Sequence, residues 1–99
     1  MLTIPVTKKW FDMELAGIKP EDYREIKPYW EVRLCKLFGE KGIGRGIEKE
    51  VKFRNGYGRN ARYFIARCLC KVGTGRTEWG AEKGKLYFVL PLHELLERG

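Results

Sequence analysis

Leu2, Ile4 and Val6 alternate with Thr3 and Pro5, the period of a half-buried strand, and the proline confines that strand to an edge or to the start of a sheet. Thr7 stands where an N-cap belongs. Phe11 and Leu15 lie one turn apart, next to Trp10 and Met13, while Lys8, Lys9, Asp12 and Glu14 are polar, so the spacing predicts a short amphipathic helix. Gly17 occupies the position of a left-handed terminating residue, and Pro20 prevents continuation. From Glu21 the period changes to two: Glu21, Tyr23 and Glu25 share one face of a strand, and Asp22, Arg24 and Ile26 share the other.

In KPYWEVRLCKLF, Pro28 fits a first helical turn and Trp30, Leu34 and Phe38 form a stripe that predicts a second helix. The glycine-rich run GEKGIGRG over 39–46 reads as a turn. Ile47 to Asn55 reads as a strand, Asn55-Gly56 as a tight hairpin turn, Ala61 to Val72 as the longest strand, and Lys85 to Leu92 as another. The closing HELLERG fits a short helix. Five strand segments with a short helix after the first predict one domain over 1–99, a small, mostly antiparallel α+β barrel closed partly by helices.

Composition changes this picture in one respect. Lys and Arg number 20 against 13 Asp and Glu, a net charge of +7, which favours a polyanionic partner where the charge is clustered and is otherwise only solvated. No stretch approaches the roughly 20 apolar residues of a membrane span, and the N-terminus lacks the pattern of a secretion signal. Three cysteines, an odd number, then point to reduced thiols and a cytoplasmic location.

Candidate chemistry gathers first at 17–24. Asp22 and Arg24 share a strand face with Lys19 in the loop before them, and burying such charges together requires that they pair or meet a ligand. They form either a structural ion-pair network or a site. As a base, Lys19 would need its pKa lowered, and carboxylates such as Asp22 or Glu78 oppose that; as anion binders, Lys19 and Arg24 need no tuning.

A second candidate is FRNGYGRNARYF, where Arg54, Arg59 and Arg62 surround Tyr57 with Asn55 and Asn60, the mixture that contacts phosphate and stacks on an unpaired base, or else an ordinary turn. A third is GTGRTEWGA, with Arg76, Glu78 and Trp79; Trp79 either stacks on a ligand or plugs the barrel end. Trp10 and Trp30 read as core. Cys35, Cys68, Cys70 and His93 lack the close pairing of a zinc site, so the cysteines read as packing residues, and no metal or cofactor is expected. His93 reads as a capping or surface residue.

The run GIKPEDYR resembles the signature of the ASCH domain, a family of the PUA-like superfamily: glycine, lysine, an acidic residue and arginine at fixed spacing. WFDMELAG before it, YREIKPYW after it, FRNGYGRNA and TEWGAEKGKLYFVLPL look like the small ASCH proteins of bacteria and phages, so the resemblance covers nearly the whole chain. It implies a PUA-like β-barrel with a cleft that binds RNA or a modified nucleoside, with Lys19, Asp22 and Arg24 matching the family's cleft residues. Some members resemble amidohydrolases acting on acetylcytidine through a lysine, a threonine and a glutamate. Lys19 matches the lysine, Asp22 stands where the threonine would be, and Glu78 is the candidate glutamate, with Thr74 and Thr77 in the same loop. Other members resemble metal-dependent ribonucleases. The expected role is an RNA- or nucleoside-binding module using Lys19, Arg24, Arg54, Asn55, Tyr57, Arg59, Arg76 and Trp79. The alternatives are a hydrolase using Lys19, Asp22 and Glu78, or a protein-interaction module. Oligomeric state is open.

Overall fold

The computed structural model describes residues 1–99. Strand β1 (Thr3–Pro5) leads into helix α1 (Lys8–Leu15), then strand β2 (Glu21–Glu25) and helix α2 (Pro28–Phe38). Strands β3 (Lys49–Arg54), β4 (Tyr63–Cys68) and β5 (Lys71–Thr74) follow; a single 3-10 turn (Thr77–Trp79) then precedes strand β6 (Leu86–Arg98). Thr7 occupies the N-cap of α1 without a side-chain capping bond, and Pro28 opens α2 as its spacing predicts.

The six strands form one curled mixed sheet in the order β1-β3-β4-β6-β2, with β5 also paired to β6. The β1/β3 pair is parallel, the other four antiparallel. β6 joins the two halves: Tyr87 to Pro91 pair with β2, Leu86 to Val89 with β5, and Leu92 to Arg98 with β4. The result is an α+β half-barrel with two helices, its sheet open between β1 and β2. Phe11, Trp30, Leu34, Phe38, Val51, Phe53, Phe64, Phe88 and Leu90 fill the main core, and Phe53 stacks on Phe64 at 5.0 Å. Cys68 and Cys70 are buried in that core, and burial pushes each thiol up to about 12.

Four readings of the sequence are corrected. HELLERG is not a helix: it continues β6, because β4 requires a partner, and Arg67–Glu94 (2.7 Å) and Tyr63–Glu97 (2.6 Å) pair across the two strands. His93 accordingly lies on a strand, beside Glu48, rather than at a helix start. The long strand over 61–72 is two, β4 and β5, which pair with different parts of β6. Asn55-Gly56 begins a wider loop over 55–62, closed by the Asn55 amide donating to the Arg62 carbonyl (2.8 Å), instead of a two-residue turn.

The α1–β2 corner follows the sequence closely. Gly17 has φ +77, and the Ile18 and Lys19 amides turn back to the Met13 carbonyl at 2.9 and 3.0 Å, closing the helix end. A Cβ at Gly17 would meet nothing within 4 Å, so Gly17→Ala tests backbone strain alone. It is expected to destabilise the fold by about 1 kcal/mol, the left-handed penalty, read as a lowered urea midpoint. An unchanged midpoint would mean that this corner tolerates an alternative helix end.

Candidate functional site

α1, its terminating corner and β2 bring four charged side chains together below the surface. Glu14, Lys19 and Asp22 are 5%, 2% and 2% exposed. Lys19 Nζ donates to Glu14 Oε2 at 2.8 Å and to the Glu21 carbonyl at 2.7 Å, and lies 4.0 Å from Asp22 Oδ1. Arg24 engages Asp22 bidentately, Nε to Oδ2 at 2.7 Å and Nη2 to Oδ1 at 3.1 Å, and its guanidinium lies over Trp30, 5.2 Å from the ring centre. The charges at 19–24 are thus an ion-pair network, and the Asp22/Arg24 part of it also forms a cleft wall.

Glu14 is the member that sequence reading missed. Counted with the polar face of α1, it belongs by spacing to the stripe of Phe11 and Leu15, and a carboxylate on that stripe beside a buried lysine was the available signal. Two effects compete for its proton. The Lys19 contact favours the carboxylate; burial and the neighbouring Asp22 charge oppose it and prevail, raising the Glu14 pKa to about 9. The geometry agrees: Glu14 Oε1 is buried and receives no donor, which costs an ionised carboxylate more than a protonated one. Against the cost of its own burial, Arg24 and the Glu14 proton hold the Asp22 carboxyl below its usual range.

Above this network lies a cleft of about 340 Å³. Asp22, Tyr23, Arg24 and Glu25 form one wall, Trp10 and the β1 end (Pro5, Val6, Thr7) a second, and Trp79, Gly80, Glu82, Lys85 and Tyr87 the third. Two tyrosines fix the third wall: the Arg76 amide donates to the Tyr23 hydroxyl (3.0 Å) and the Glu82 amide to that of Tyr87 (2.9 Å). Gly80, at φ +95, lies so close to Trp10 that a Cβ would approach the indole to 2.9 Å, so glycine is required for the two walls to meet. β2 is the last strand of its path. Because Leu92 donates to the Pro20 carbonyl (2.8 Å), alternation directs the Asp22 and Arg24 amides to β6 and turns the N–H and C=O of Tyr23 and Glu25 to the open edge. The cleft therefore combines aromatic surface, an Asp-supported guanidinium and unpaired strand backbone.

The predicted site residues fall into distinct places. Asp22, Arg24 and Trp79 line the cleft; Trp79 is half-buried there instead of plugging a barrel end, and Trp10 is a cleft wall as well as a core neighbour. Asn55 and Tyr57 line a smaller groove of about 240 Å³ that shares Pro5, Val6 and Thr7 with the cleft, and Tyr57 is 84% exposed. Arg59 is exposed. Arg54 braces the loop by donating to the Gly58 and Tyr57 carbonyls, and Arg62 pairs with Asp12 (3.2 Å). Lys19 lies beneath the cleft and does not line it. Glu78 faces solvent, paired with Arg76, away from Lys19 and the lining, because the turn carrying it directs Trp79 inward and Glu78 outward. Nor are the cleft walls basic: Asp22, Glu25 and Glu82 outnumber Arg24 and Lys85. No helix is long and apolar enough to cross a membrane. No protein-family model, curated protein or solved structure matches this chain.

Proposed function

We propose that this protein binds RNA or a modified nucleoside by taking one base into the cleft. The observation that carries the reading is the Asp22–Arg24 pair held at the foot of an aromatic cleft beside the open β2 edge. Arg24 is already compensated by Asp22, so its remaining N–H donors suit a neutral acceptor such as a base carbonyl better than a phosphate. The Tyr23 and Glu25 backbone groups offer the alternating donor and acceptor that a base edge presents. Trp10 and Trp79 supply stacking surface, and the cleft volume lies within the range of small-ligand sites. The resemblance of GIKPEDYR to the ASCH signature agrees with a base-binding cleft, and Lys19 then supports Asp22 from below instead of touching the ligand.

Phosphates flanking the bound base fall to cations around the mouth: Lys9, which lies over Trp10 at 4.5 Å, Lys85 and Arg59 in the adjoining loop. About three such contacts to single-stranded RNA give a salt slope near −2, so affinity for a short oligoribonucleotide is expected to fall about 15-fold between 50 and 200 mM salt. Titration followed by tryptophan fluorescence measures it, since Trp10 and Trp79 are at the cleft and Trp30 is buried. Trp79→Ala is expected to weaken binding roughly tenfold or more. Absence of saturable quenching with both nucleosides and oligoribonucleotides would overturn the reading. The hydrolytic alternative through Lys19 and Glu78 draws no support from this geometry, because one is sealed below the cleft and the other lies outside it.

A further inference from the structure

The cleft runs against the charge of the protein that carries it. The chain has a net charge of +7, yet Glu25 and Glu82, both exposed at the cleft, form no ion pair, while Asp22 is consumed by Arg24. Of the cleft cations, only Lys85 is without a carboxylate partner. The aromatic surfaces already attract cations: Lys9 lies over Trp10, Arg76 over Trp79 at 5.1 Å, and Lys85 over Tyr87 at 5.3 Å. Lys9 and Arg76 are exposed and Lys85 is half-buried, so a ligand can displace them, while the buried Lys19, 5.8 Å from the Trp10 ring centre and 5.0 Å from that of Tyr23, stays in place beneath the cleft. Electron-rich ring faces next to uncompensated carboxylates stabilise a flat, delocalised positive charge more than a neutral ring of the same shape.

Resting on the base-binding reading above, we infer that the preferred occupant is a cationic nucleobase, a purine alkylated on a ring nitrogen so that its ring system carries a delocalised positive charge. Such a base stacks on Trp79 in place of the Arg76 guanidinium. Its charge is then balanced by Glu25 and Glu82, and its edge meets Arg24 and the open β2 backbone. The surrounding positive surface holds the phosphates, so a cationic base within an anionic strand matches both parts of the protein. A strand of ordinary bases satisfies only the outer part.

The test compares 7-methylguanosine with guanosine and 1-methyladenosine with adenosine, using tryptophan quenching on the full chain, with tetramethylammonium as a third probe. The alkylated nucleosides are expected to bind about tenfold or more tightly than their parents. In Glu25→Gln/Glu82→Gln, whose changes are at exposed positions, that ratio is expected to approach one. Equal affinity for parent and alkylated nucleosides, or a ratio that survives the double substitution, would overturn the inference while leaving base binding intact. Tetramethylammonium binding as tightly as the alkylated nucleosides would also overturn it, since charge alone would then be recognised. Failure of every nucleoside to bind would remove the inference together with the base-binding reading.

Discussion

Asp22→Ala is expected to destabilise the fold by about 3–5 kcal/mol, the cost of removing one partner from a buried ion pair. Asp22 receives two hydrogen bonds from Arg24 and lies 4.0 Å from Lys19 Nζ. Without it, the Arg24 guanidinium, whose side chain is only 17% exposed, loses its carboxylate partner, while Lys19 keeps Glu14. The desolvation cost of Arg24 persists after its compensation is gone, which makes the loss much larger than the value of the pair itself. Asp22→Ala/Arg24→Met, which removes both charges, is therefore expected to cost much less than Asp22→Ala. Denaturant unfolding of wild type, both single variants and the double variant gives the coupling energy. A loss below about 1 kcal/mol for Asp22→Ala, the scale of an exposed pair, would show that the network is not desolvated.

That network also shows how far the sequence could be read. The spacing of Asp22 and Arg24 on one strand face, the Gly17 corner and the lysine before it are local features, and each appears where the pattern indicates. Both helices were legible for the same reason: an apolar stripe at helical spacing, with Pro28 at one start and Gly17 after the other helix. The errors arise where distant segments decide. HELLERG has good helix formers, but the 64–68 segment supplies a partner strand, and main-chain pairing outweighs a weak local preference. The cleft was legible only in part, because its third wall is fixed by two tyrosine hydroxyls reaching amides at 76 and 82, a contact no short window contains. Its charge was misjudged because total composition, dominated by lysines and arginines elsewhere, says nothing of which side chains line one concavity.

Between about pH 5 and pH 9, stability is expected to fall as pH rises, by a few kcal/mol in total and at most ~1.4 kcal/mol per unit. The sign follows from Glu14. Its unfolded carboxyl titrates near 4.5 and its folded one near 9, so in this window the native state holds a proton that the unfolded state has released. Raising pH therefore favours unfolding. Asp22 acts oppositely at the acid end: its folded pKa lies below the ordinary 3.8, so its contribution is present above that value and is lost as pH falls through the lower one. The two groups together place the stability maximum near pH 4–5. Glu14→Gln separates this effect from the relaxation of net positive charge, which acts on both proteins alike and in the opposite direction. Glutamine keeps the shape of the protonated acid, with an amide N–H for Asp22 and an oxygen for Lys19, and cannot ionise. The variant is expected to match wild type near pH 5 and to exceed it by pH 8, with a flatter profile of denaturant midpoint against pH. Parallel profiles for the two proteins would mean that Glu14 is ionised in the folded state and that Lys19, rather than Asp22, controls its proton.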